Sequence, residues 1–199
     1  NMGRPRQHDQ RIATALLDAA ERIVAEGGLK MLSVRQVAGT IGASTRAVYS
    51  LFGSKDGLII ALGTRAFNLL SDGLDVLPTT DDPDGVLVEA GVVVFRRFAL
   101  GHPALFRIGL VQTGVPTEIA GQFRGAQDKA LGRLYARIGR LENLGRLGRR
   151  DEPQAALEFH ALCEGLAALE GRCILRPEEA EHMWRDALRA LVAGWAATE

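Results

Sequence analysis

Cysteine is nearly missing from this 199-residue chain, which has only Cys163 and Cys173. They lie ten residues apart on one predicted helix, face different sides of it and cannot pair there. No disulfide framework is expected, and a reducing, cytoplasmic setting fits. Long apolar runs are missing too. No stretch reaches the roughly 20 residues that a bilayer-spanning helix needs. No cleavable signal precedes the first predicted helix, so no membrane partner is expected. The four histidines, His8, His102, His160 and His182, never fall at metal-ligand spacing with cysteine or acid partners. Neither a structural metal nor a cofactor is expected. A glycine-rich phosphate loop, a nucleophile elbow and a paired carboxylate set with a base are also absent, which argues against an enzyme. Net charge is zero, from 24 Lys or Arg against 24 Asp or Glu. Lysine itself is scarce, with Lys30, Lys55 and Lys129 alone among many arginines.

Strand-like alternation is absent as well, so the chain is expected to be all-α. The densest information lies in Leu32 to Lys55, LSVRQVAGTIGASTRAVYSLFGSK. Ser33 is a good N-cap for a helix whose apolar face is Val34, Val37, Ala38 and Ile41. Gly42 falls where the chain reverses, a position that favours positive φ. Ser44 caps a second short helix with Ala47, Val48 and Leu51 on its inward face. Thr45, Arg46, Tyr49 and Ser50 are left outward. Two crossed helices with a polar leading edge form a helix-turn-helix, and such an edge fits the major groove of DNA.

Charge agrees with that reading. Residues 1–60 hold eight Lys or Arg against five acids, which leaves the remainder at −3. A positive end on a neutral chain is the electrostatic footprint expected of a DNA-binding protein. Arg46 is the candidate for base readout, since a guanidinium pairs in bidentate fashion with guanine. Thr45 is placed to touch a thymine methyl or a base edge. Ser33, Tyr49 and Lys55 are candidate phosphate contacts, with Lys55 on the first turn of a helix that favours an anion. Arg35 and the cap Ser44 complete the candidate interface. Residues 1–9 are expected to form a flexible basic arm whose Arg4 and Arg6 reach an adjacent minor groove.

The long first helix followed by LSVRQVA, IGAS and AVYSLFGSKDGLI resembles the DNA-binding domain of the tetracycline-repressor (TetR) family of bacterial regulators. The likeness covers Arg11 to Leu62. Its Gly28–Ser33 entry, its Tyr49 and Phe52 step and its Ser54–Leu58 exit all fall in register. The resemblance implies nine helices, with DNA binding at residues 10–55 and an effector-binding and dimerisation body at 56–199. It also implies a homodimer on a double-stranded, palindromic operator.

The rest of the chain reads as long helices near 54–76, 85–101, 104–113, 117–147, 152–174 and 178–197. From Ala155 to Leu169 almost every residue is apolar or small, and a helix apolar all round must be covered on all sides. The helices near 152–174 and 178–197 are therefore expected to pair with their symmetry mates in a self-complementary four-helix interface. A small hydrophobic effector is expected, since the aromatic candidates to line its pocket carry little charge. These are Phe95, Phe98, Phe106, Leu110, Phe123, Tyr135, Phe159 and His160. The arginines from Arg133 to Arg150 interleave with leucines and read as the solvated face of an amphipathic helix. Two rival functions remain, a ligand-independent DNA-organising protein on the same fold and a helical interaction module without DNA binding.

Overall fold

The structure is a computed structural model that describes residues 3–197, with side chains from His8 onward. Among the described residues there are nine helices and no strand. They are α1 (Gly3–Gly27), α2 (Val34–Thr40), α3 (Thr45–Phe52), α4 (Lys55–Asp75), α5 (83–101), α6 (103–111), α7 (117–143), α8 (Glu152–Gly171) and α9 (Pro177–Ala196). Three are composite. The middle of α5 (Ala90–Arg96) and the end of α6 (Phe106–Val111) wind as π-helix, and α7 contains a 3-10 turn at Gly121–Phe123. Among the described residues no helix is long and apolar enough to cross a membrane.

Three expectations are corrected. Helix α1 begins at Gly3, so residues 3–9 continue that helix rather than forming a flexible arm. Pro5 is no obstacle, because an amide in the first turn of a helix has no intrahelical partner to lose. The side chains of Arg4 and Arg6 lie outside the described residues. Helix α7 ends at Asn143, not near 147, and the chain then turns through Gly145 and Gly148 at positive φ (68° and 58°). Leu147 returns to the core after that turn while Leu144 is exposed, so leucine spacing outlasts the helix. Helix α8 stops at Gly171, which leaves Cys173 in the following turn at φ 57° rather than on the helix with Cys163.

The described chain forms two compact units. The first comprises residues up to Phe67 together with His102–Ala126. Its α1, α2 and α3 pack on one another, and α6 packs on α1. Missing side chains let α4 take its neighbours closely. A Cβ at Gly63 would lie 2.4 Å from the Phe123 ring, and one at Gly109 would lie 2.7 Å from the Ala66 methyl. Polar contacts tie the same elements together. His102 Nδ1 lies 2.7 Å from Glu21 Oε1, and Arg65 lies 2.6 Å from Asp18. Arg107 donates (3.2 Å) to the Val24 carbonyl in the last turns of α1, which also accepts from Gly28 N–H (2.9 Å). Residues 56–67 and 102–126 therefore share the packing of the N-terminal helices, so the compact units do not divide at residue 55.

The second unit comprises Asn68–Gly101 and Gln127–Glu199. Two glutamates of α8 organise it. Glu170 accepts from the Trp184 indole (2.9 Å) and from Arg96 Nη2 (2.8 Å). Glu158 accepts from the Trp195 indole (2.7 Å) and from Arg150 Nε (2.8 Å). Each carboxylate thus satisfies a buried tryptophan of α9 while pairing with a guanidinium, which a buried charge requires. Burial alone would raise the Glu158 carboxyl. The hydrogen bonds from Arg150, Trp195 and Gln154, with the charge of Arg150, outweigh it and hold that carboxyl below its ordinary range. Burial lowers the Arg137 guanidinium and pushes the Cys163 thiol up, which leaves that thiol a small inert packing group.

The arginines of α7 are not simply solvated. Arg133 pairs with Asp75 (2.6 Å), Arg137 donates to the Leu74 carbonyl and Arg140 donates to the Thr80 carbonyl (2.6 Å). Just beyond the helix, Arg146 pairs with Asp84. Together they hold the end of α4 and the loop after it. Leucine periodicity could not reveal this, because it identifies the buried face and leaves the partners of the opposite face open.

Candidate nucleic-acid interface

The interface is built from two caps and a turn. Ser33 Oγ accepts from Gln36 N–H (3.1 Å) at the start of α2, and Ser44 Oγ accepts from Ala47 N–H (3.2 Å) at the start of α3. Each hydroxyl keeps its own proton to donate elsewhere. Gly42 takes φ 67° in the reversal, and Ala43 N–H returns to the Ala38 carbonyl (2.9 Å). Val34, Val37, Ala38 and Val48 are buried and lock α2 against α3. Ile41 caps the end of α2 and is only half-buried, as are Ala47 and Leu51.

With Val48 inward, the first turns of α3 present Thr45, Arg46 and Tyr49 to solvent. Tyr49 is 53% exposed, a large ring left half open to solvent. Ser33 and Arg35 are exposed at the start of α2, and Ser44 is exposed at the start of α3. Lys55 is exposed on the first turn of α4, whose N-cap Ser54 accepts from Gly57 N–H (3.0 Å). Gly57 has a role that its spacing did not announce. A Cβ there would lie 1.8 Å from the Phe52 carbonyl oxygen, so glycine alone lets α4 start this close to the end of α3.

The cations divide sharply. Of the nine Lys and Arg side chains described in the first unit, only Arg65 and Arg107 have an ion-pair or hydrogen-bond partner among the described residues. Arg11, Arg22, Lys30, Arg35, Arg46, Lys55 and Arg124 have none. In the second unit ten of the thirteen are engaged within the chain, including Arg96, Arg150 and Arg185. Hydrogen bonds from Arg185 to Glu89, assisted by Glu181, raise its already high pKa. Unengaged guanidinium and ammonium groups in the unit that holds an outward helix are what a phosphate backbone would neutralise.

The eight aromatic and aliphatic pocket candidates do not gather in one unit. Phe106, Leu110 and Phe123 belong to the first, and Phe95, Phe98, Tyr135, Phe159 and His160 to the second. Phe95, Phe98, Phe106, Phe123 and Phe159 are buried in packing, with Leu110, Tyr135 and His160 half-buried. Phe95 meets the His160 ring edge-on (centroids 5.6 Å apart), and His160 Nε2 lies 3.2 Å from Glu164 Oε2. Two open grooves exist elsewhere. One of about 580 Å³ in the second unit lies between Asp82–Glu89 and Arg189–Ala196. The other, about 510 Å³, lies in the first unit beside Lys30 and Lys55. Neither groove is lined by any of the eight candidates.

The helices expected to pair between subunits carry an exposed apolar face. On α8 it includes Leu157 (68% exposed), Ala161, Gly165 and Ala168, and on α9 Met183 (41% exposed), Ala190 and Gly194. The opposite faces carry the buried Phe159, Cys163, Trp184 and Leu188.

Residues 16–62 match the family described as bacterial regulatory proteins, tetR family. None of the curated proteins matches the chain. Solved structures match over nearly its whole length. A Rhodococcus protein of unknown function is 23% identical with a TM-score of 0.79, over 92% of this chain and 95% of its own. The TetR-family regulator PfmR from Thermus thermophilus is 20% identical with a TM-score of 0.69, over 89% and 96%. The transcriptional regulator FadR from Bacillus subtilis, solved in complex with stearoyl-CoA, is 15% identical with a TM-score of 0.78, over 91% and 98%. Residues 16–62 thus match the helix-turn-helix region of the tetR family of bacterial regulatory proteins, and the nine helices share the fold of these solved structures.

Proposed function

We propose that the chain is a cytoplasmic, dimeric repressor that holds a palindromic operator and leaves it when a small hydrophobic effector binds. The observation that carries the DNA half is the edge of α3, where Thr45, Arg46 and Tyr49 stand exposed and Arg46 has no ion-pair or hydrogen-bond partner among the described residues. Arg46 reads a base, Thr45 contacts a base edge, and Ser33, Arg35, Ser44, Tyr49 and Lys55 position the backbone. The dimer half is supported by the exposed apolar faces of α8 and α9, which water disfavours and a symmetry mate would cover. In such a dimer two recognition helices stand one DNA turn apart, ~34–36 Å.

The effector half is supported by the wholly helical body and by the neighbour solved with stearoyl-CoA, a ligand with a long apolar part. Release needs a ligand with different affinities for the DNA-competent and splayed states, and its effect cannot exceed that difference. Helices α4 and α7 each supply residues to both units, which makes them covalent routes for such a change. One observation favours a second reading, a ligand-independent DNA-organising protein. Most of the aromatic candidates are spent on packing, and neither groove includes them.

Footprinting of the purified protein on DNA from upstream of its own gene, with random DNA as competitor, tests the proposal. A palindromic protected site supports the specific regulator. Weak protection blind to sequence favours the organising protein, and no binding contradicts both.

A further inference from the structure

Two of the chain's three lysines, Lys30 and Lys55, line the same groove, although 25 residues separate them in sequence. Lys30 comes from the turn between α1 and α2, within Gly27–Lys30, and Lys55 opens α4. The Gly28 backbone (φ 76°) permits the sharp exit from α1 that sets Lys30 on the groove wall. Both lysines are exposed, and neither has an ion-pair or hydrogen-bond partner among the described residues. The acid that shares the groove is Asp56, so its ionisable lining is two ammonium groups against one carboxylate.

We infer that this groove seats a backbone phosphate of the operator, with Lys30 as a DNA-positioning residue beside Lys55 and outside the helix-turn-helix edge. The inference rests on the DNA-binding reading above and adds a residue to it. A phosphodiester suits two compact ammonium groups, which act as point charges and need no fixed fork geometry. The choice of lysine at both places in a chain otherwise rich in arginine fits a contact that positions and does not read bases. Asp56 opposes the phosphate, so it limits affinity at this seat without touching specificity.

Binding of the full chain to its footprinted operator and to random DNA, measured between about 50 and 200 mM salt, tests the seat. Lys30→Ala is expected to weaken both DNAs by the same factor and to lower the salt slope by up to about 0.9, the value of one phosphate contact, since Lys55 remains at the same phosphate. Lys30→Arg is expected to restore most of that slope, and Asp56→Asn to tighten both DNAs equally. Lys129→Ala, on α7 in the other unit, is expected to change neither quantity. If the wild-type protein shows salt-sensitive operator binding while Lys30→Ala keeps the wild-type slope, the seat is wrong and the regulator stands. A wild-type protein with no salt-sensitive binding removes both.

Discussion

The two compact units have opposite charge and use it oppositely. Residues 1–67 with 102–126 contain eleven Lys or Arg against six acids, and the rest of the chain contains thirteen against eighteen. The surplus is +5 on one side and −5 on the other, although the whole chain is neutral. In the second unit the arginines are spent on glutamates, aspartates and carbonyls of the same unit. In the first they are mostly unengaged. Net charge of a chain therefore says little about its partners, whereas the distribution of unpaired cations says a great deal. An arginine that is paired within the fold is a structural group, and one without a partner is available to phosphate.

Substitutions in each unit put this contrast at risk. The greatest loss is expected from Glu170→Ala in the second unit. It strands the buried Trp184 indole and leaves the well-buried Arg96 guanidinium only its longer contact to the exposed Glu181 (3.4 Å), and removing one partner of such a buried pair costs about 3–5 kcal/mol. Chemical denaturation would show that loss, and a loss under about 1 kcal/mol, the level of a surface pair, would mean that the acidic unit does not depend on its internal pairs. Gly63→Ala probes the first unit. The added methyl meets the rigid, buried Phe123 ring, so overpacking of about 1–3 kcal/mol outweighs the helix-propensity gain of up to about 1 kcal/mol. A more stable variant would show that Phe123 yields freely.

Leu157→Glu addresses the exposed face of α8. It places a charge in the proposed subunit interface and should raise the dimer dissociation constant at least about tenfold, worth about 1.4 kcal/mol. Sedimentation would detect the change, and an unaltered dimer would move the interface elsewhere. A smaller change concerns acid. Because the Glu158 carboxyl is held below its ordinary range, its share of stability is present above the ordinary carboxylate range and fades as pH falls through the lowered value. Glu158→Gln should flatten that part of the acid limb, with Trp195 fluorescence as the reporter. An unchanged limb would assign the acid sensitivity to other carboxylates.

Much of the interface is legible in the sequence because local chemistry writes it there. The capping serines, the glycine of the reversal and the apolar faces of α2 and α3 depend on neighbours only a few residues away. The start of α1 departs from expectation because a short basic stretch carries no local helix signal, and its Pro5 is harmless in a first turn. The π-helical stretch at Ala90–Arg96 has no local signature. Its Gly91 is understood only beside Leu188 and Cys163, which long-range packing brings within reach. The same holds for Gly63 with Phe123, and for the engagement of the α7 arginines. Charged side chains reveal their residue type in sequence and their partners only in three dimensions. The pocket candidates show the same limit, since aromatic character alone does not separate a packed core from a lined cavity.

Everything proposed for DNA turns on Arg46, through which the edge of α3 reads sequence while the other cations hold the backbone. The decisive experiment is the affinity of wild type and Arg46→Ala for the footprinted operator and for its full set of single-base variants. A loss of about 1–3 kcal/mol on the operator is expected, with discrimination relaxed at one base pair in each half-site. An unchanged preference at every position, or a loss equal on operator and random DNA, would contradict this role for Arg46.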